Sequence, residues 1–181
     1  MKLFKTTVCR GTLYGPKDFR YKFKKENALV EGRVSMCDRG FHAANRDKMY
    51  LWPGTEMWQV ELMYHVQFFA ADKPSVMGPV TDGKGKFVGS HMTFLRQDRR
   101  WTKTKLLRYA RKVMELSTQT RYRCNSYIND IQRCLTELHK KRTYEWYRSL
   151  CRAVSELLRW DALSRYFRRR CKAEFECLLR S

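Results

Sequence analysis

Every glycine and every proline of this 181-residue chain, nine and four in number, lies at or before Gly89. From Ser90 to Ser181 there is neither. Glycine and proline punctuate turns and irregular backbone, so the second half is restricted to long, uninterrupted elements with short polar links. Its apolar residues recur at helical spacing. Trp101, Leu106, Ala110, Val113 and Met114 share one face of a first helix, and Cys124, Tyr127, Ile128, Ile131, Leu135 and Leu138 mark a second. Tyr147, Leu150, Cys151, Val154, Leu157 and Leu158 mark a third, and Leu163, Phe167, Cys171, Phe175 and Leu178 a fourth. Asp161 near the start of the fourth suits the helix dipole. The breaks at Ser117-Thr118 and Lys140-Lys141-Arg142 are short, which favours antiparallel neighbours.

The first half has the opposite pattern. Lys2 to Cys9 and Phe19 to Phe23 alternate apolar and polar side chains, as half-buried strands do. Gly15-Pro16 and Glu31-Gly32 are turn signals. Met57 to Phe69 is rich in β-branched and aromatic residues, the strongest strand of the chain. Asp82-Gly83-Lys84-Gly85 reads as a hairpin loop, with Phe87-Val88 and His91 to Leu95 returning together as a last strand. In Cys37 to Tyr50, Gly40 provides a tight turn, Phe41 a core side chain, His42 a local hydrogen bond and Asn45 the cap of a short helix through Tyr50. The expected fold class is α+β: a small N-terminal β-rich domain, residues 1–97, followed by a C-terminal antiparallel helical bundle, residues 98–181.

Charge follows the same boundary. The chain carries a net +20 with a pI near 10.0. Residues 1–98 hold 16 Lys and Arg against 10 Asp and Glu, and residues 99–181 hold 22 against 8. Such an excess favours polyanions: nucleic acid or an acidic protein face. Arg99, Arg100, Lys103, Lys105, Arg108, Arg111 and Lys112 cluster at the first helix, with Lys105, Arg108 and Lys112 on one face opposite the apolar one. Arg165, Arg168, Arg169 and Lys172 repeat the pattern in the last helix. An ordinary solvated face mixes signs; these two rows hold almost no acids. Cationic rows meet phosphates by releasing condensed counterions, and arginine adds bidentate contact.

Aromatics interleave with these cations. Trp101 and Tyr122, near helix starts, are expected to be exposed and able to stack on bases, whereas Tyr147 and Trp160 are expected in the core. Zinc-finger, RNP-like and P-loop spacings are missing, so the sequence offers no device for sequence-specific readout.

Seven cysteines at irregular spacing read as buried free thiols in a reducing cytoplasm. Cys9, Cys37 and His42, with His65 and His91 as the nearby donors, lack the paired spacing of a zinc site. No metal is expected. Met1-Lys2-Leu3-Phe4-Lys5 has charge without an apolar stretch, so no secretory leader is expected, and no apolar run is long enough to span a bilayer.

Cys9-Arg10-Gly11 with Tyr14, then Cys37-x-x-Gly40-Phe41-His42-Ala43, then Tyr50, resembles a domain family of unknown function found largely in phage and prophage proteins. Val60-Glu61 and His91 to Leu95 fit its alternating and closing strands, so the resemblance covers about residues 7–97. It departs at Ala44, where the family pattern has a second cysteine. The resemblance implies a phage-encoded accessory protein working in the host cytoplasm and carries no activity with it. The expected function is therefore non-enzymatic. The basic helices bind nucleic acid or a host nucleoprotein machine, such as a polymerase, a nuclease or a nucleic-acid-guided defence complex, and inhibit it by occlusion. No cofactor is expected.

The competing class is an enzyme. Arg10 on a first strand, Gly40-Phe41 before a helix carrying Tyr50, and Glu61 on a later strand resemble ADP-ribosyltransferase organisation. That resemblance implies NAD as co-substrate, with Arg10, Tyr50 and Glu61 around the nicotinamide ribose. The Ser-Thr-Ser strand and Glu-x-Glu pair of one such class are missing, and Arg10 stands where the other class has histidine.

Overall fold

In the structure, a computed structural model, residues 2–14, 19–23, 25–28, 40–66, 75–120, 125–160 and 165–181 are described. The chain forms an antiparallel β-sheet followed by helices, the expected α+β arrangement. The strands are β1 (Leu3–Thr7), β2 (Glu26–Ala28), β3 (Phe41–Ala44), β4 (Glu56–Val66), β5 (Ser75–Met77), β6 (Val80–Thr81), β7 (Lys86–Gly89) and β8 (His91–Gln97). The helices are α1 (Lys103–Thr118), α2 (Asn125–Lys140), α3 (Tyr144–Arg159) and α4 (Arg165–Arg180). Sheet order is β2-β8-β4-β1-β3-β7-β6, with β5 pairing along β4. Two compact units result, one of residues 1–5, 21–49 and 58–97, the other of residues 6–20, 50–57 and 98–181.

The sheet unit is held by aromatic packing. Phe23 lies 4.4 Å from Trp58 and 4.8 Å from Phe94, ring centre to ring centre, and Tyr21 lies 5.0 Å from Phe94. Val60, Leu62 and Met92 are buried with them. The expected strand through Met57–Phe69 is β4 as far as Val66; residues 67–74 lie outside the described residues. The hairpin loop at 82–85 joins β6 to β7, and Asp82 Oδ1 accepts the backbone N–H groups of Lys84 and Lys86. Gly40, at φ +131°, takes a conformation that L side chains rarely adopt, and Phe41 after it is buried. Asn45 precedes a 3-10 helix, Arg46–Leu51, and its carbonyl accepts the Lys48 N–H.

Two expectations for this unit are corrected. Phe19–Phe23 forms no strand; its backbone has only a single bridge from Arg20 to Gly11. The buried side chain of Asn27 takes the place of a strand partner. Its Oδ1 accepts the Lys22 N–H at 2.8 Å, and its Nδ2 donates to the Lys22 and Met92 carbonyls. Likewise Phe87-Val88 and His91–Leu95 do not share a strand. β7 pairs with β3 and β6, whereas β8 pairs with β2 and β4. The break falls at Gly89-Ser90. A Cβ on Gly89 would collide with the Met63 carbonyl and lie 2.8 Å from Leu62 Cγ.

The helical unit buries the expected stripes with small shifts. Every predicted core position of α3 is buried. On α1 the buried set is Leu106, Tyr109, Ala110, Val113, Leu116 and Ser117, and Met114 is half-buried. On α2, Cys134 joins Ile128, Ile131 and Leu138. On α4, Leu179 takes the buried place expected of Leu178. Cys124, Asp161 and Leu163 lie outside the described residues. Thr102 and Thr143 cap α1 and α3, accepting the N–H groups of Lys105 and Trp146. Among the described residues, no helix is long and apolar enough to cross a membrane.

Candidate nucleic-acid interface

The basic rows sit on helices whose other faces are anchored by large side chains. Trp101, expected at the surface, is 1% exposed, which corrects that reading. Its ring lies 4.6 Å from Phe175 and 6.1 Å from Tyr109, and its Nε1–H donates to the Gly54 carbonyl at 2.8 Å. Tyr109, fully buried, donates its hydroxyl to the Tyr50 carbonyl at 3.1 Å, and burial pushes its phenol well above the usual range. Trp101 precedes α1 but is buried, as its place on the apolar stripe implied, and segment 50–57, distant in sequence, provides its cover. Tyr147 is buried and Trp160 half-buried at the end of α3. Tyr122 lies outside the described residues.

The Trp101, Tyr109 and Phe175 rings lock α1 against α4. This brings Lys112 near Arg170 and Glu174. The Lys112 ammonium is raised first by its hydrogen bond to Glu115, then by the Glu115 and Glu174 charges, and Arg170 opposes the rise. Arg170, absent from the predicted row, lies within electrostatic range of Lys112, as does Glu174. The other flank of α4 turns toward α3. There Arg168 donates from Nε to the Leu158 carbonyl at 3.0 Å and from Nη2 to the Trp160 carbonyl at 2.8 Å. Its guanidinium thus donates to carbonyls at the C-terminus of α3, where intrahelical donors run out. Only the position of Trp160 at the helix end could have signalled this, and the sequence does not say which arginine reaches it.

The remaining cations fall into two groups. Arg100 chelates Asp98, donating from Nε and Nη2 at 2.9 and 2.7 Å, and Lys172 lies 3.8 Å from Glu176. Lys103 places its ammonium over the Tyr147 ring at 5.2 Å. By contrast Arg99, Arg108, Arg111, Arg165 and Arg169 are exposed and have no acidic group within ion-pair reach among the described residues. Lys105 is half-buried beside them. This surplus can recruit a polyanion, since exposed cations without internal partners keep their full field.

The residues of the competing reading lie elsewhere. Arg10 follows Cys9 in the two-residue loop between Val8 and Gly11, both with positive φ, +47° for Cys9 and +67° for Arg10. Such a loop normally takes Asn-Gly. It is held by the Cys9 N–H donating to Thr55 Oγ1 and the Arg10 N–H donating to Glu56 Oε2. Tyr50 is buried, and Glu61 is exposed on β4 opposite Thr93. Cys134, Cys151 and Cys171 are free and buried, and burial raises the Cys134 thiol to about 11 and the Cys171 thiol to about 12. Cys9 is half-buried and Cys177 exposed; Cys37 and Cys124 lie outside the described residues. Among the described residues no three His, Cys, Asp or Glu side chains converge as a metal site.

No protein-family model, curated protein or solved structure gave a significant match to the chain.

Proposed function

We propose that this protein binds nucleic acid through phosphate contacts made by α1 and the adjoining face of α4, and acts by covering that nucleic acid against another machine. The supporting observation is the set of exposed arginines without acidic partners among the described residues, Arg108 and Arg111 on α1 and Arg169 on α4, together with the exposed Arg170 within electrostatic range of Lys112. Guanidinium groups of this kind take phosphate oxygens two at a time. Phosphates also gain from the counterions they release, which an isolated carboxylate does not. The resemblance of residues 7–97 to a phage domain adds a setting: an accessory protein in the host cytoplasm, occluding a host nucleoprotein machine.

The test is charge reversal in the full chain, read by fluorescence anisotropy with a labelled oligonucleotide. Reversing Arg108, Arg111, Arg169 and Arg170 to glutamate should weaken binding at least a hundredfold. These residues are exposed, so the fold should survive, as circular dichroism would check. Unchanged oligonucleotide affinity, or capture of an acidic protein with no oligonucleotide binding, would overturn the reading.

A further inference from the structure

Large hydrophobic side chains are exposed at only two described positions of the helical unit, Tyr14 and Tyr166, and both carry guanidinium groups over their rings. Their surroundings differ. Tyr14, 44% exposed, lies within 6 Å of both Arg152 and Arg159; burial first, then the neighbouring Glu156 carboxylate, raises its phenol, and Glu156 also pairs with Arg159 at 3.9 Å. A carboxylate beside that ring repels phosphate, and the contacts already fix the side chain. Tyr166 is 69% exposed, on the first turn of α4. Arg170, one turn on, places its guanidinium 6.0 Å from the ring centre. Arg170 also lies within electrostatic range of Lys112, with Glu174 in the same neighbourhood. An open aromatic ring thus lies one turn from an exposed arginine of α4.

We infer that Tyr166 and Arg170 form a stacking platform for an unpaired base, so that the ligand of the α1–α4 face is single-stranded nucleic acid. This rests on the proposed function and narrows it. A duplex keeps its bases stacked on one another and offers this face only phosphates. A single strand offers π-faces as well, and base–aromatic stacking tolerates any sequence. Arg170 serves both ends of such a contact, polarising the ring through its cation and meeting the adjoining phosphate. Platform and charge are one helical turn apart on one element, a spacing set by the i, i+4 relation. The missing sequence-reading motifs agree with recognition by stacking and charge.

Three probes separate the ideas at one salt concentration in the full-length protein: an unstructured oligothymidine, a blunt hairpin duplex with the same number of phosphates, and heparin, which has charge and no bases. The single strand should bind most tightly. Tyr166→Ala should weaken it about five- to tenfold and leave duplex and heparin within twofold; Tyr166→Trp should restore it. Tyr166 is exposed, so its replacement leaves the core intact. Equal losses on all three probes, or none on the single strand, would overturn the platform while leaving phosphate binding standing. Failure to bind any probe would overturn both.

Discussion

Arg10 and Cys9 occupy left-handed backbone that each L side chain enters at a cost of roughly 1–2 kcal/mol. Thr55 and Glu56 hold them there by accepting the two N–H groups. Glycine adopts the same angles without a Cβ clash, although it raises the entropy of the unfolded chain. Arg10→Gly should therefore stabilise the protein by about 0.5–1 kcal/mol, seen as a higher urea midpoint. A lower midpoint would show that the exposed Arg10 side chain contributes more than the strain it imposes. Lys5 makes a second residue-scale prediction. Burial, with Lys86 beside it, lowers its ammonium from 10.5 to about 8, and its Nζ lies 5.8 Å from the Tyr21 ring centre. Below pH 8 the amine is charged in folded and unfolded chains alike, and the desolvation penalty is fully present. Between 8 and 10.5 the folded form loses its proton first, so the penalty fades as pH rises. Lys5→Met should be more stable than wild type at pH 7, with the gap closing above pH 8. A gap independent of pH would contradict this.

At the scale of elements, the capping of α3 shows what the sequence could and could not reveal. Its apolar stripe and Thr143 cap follow from spacing and residue type, because both depend on near neighbours in the chain. Arg168 looks like any other member of a basic row, yet it closes the far end of α3. Arg168→Ala should cost about 1–2 kcal/mol, as two part-buried carbonyls lose a charged donor. Arg165→Ala, one turn earlier and exposed, should stay within about 0.5 kcal/mol. Urea denaturation of both variants decides it, and equal effects would remove the capping role. The same limit explains Trp101 and Lys22. The cover of Trp101 comes from Gly54, and the partner of Lys22 is a side-chain amide rather than a strand. Neither partner has a periodic signature. Ser90 likewise divides two strands because Gly89 must pass close to Met63, an approach that only the folded sheet defines.

For the whole molecule, the distribution of glycine and proline located the change from sheet to helices, and the net charge located the basic excess. What they could not resolve was which cations remain available. Asp98 takes Arg100, Glu115 takes Lys112, and the end of α3 takes Arg168, whereas Arg108, Arg111 and Arg169 keep their charge for solvent. Arg170, exposed on α4 beside the Tyr166 ring, is a further such cation that the predicted row left out. The most direct measurement of polyanion binding is therefore the salt dependence of oligothymidine affinity. Four phosphate contacts predict a log–log slope near about −3, since each contributes ~0.7 on a single strand. Reversal of Arg108, Arg111, Arg169 and Arg170 should abolish that slope together with the binding. An affinity insensitive to salt, or a slope unchanged in the reversed protein, would contradict the account.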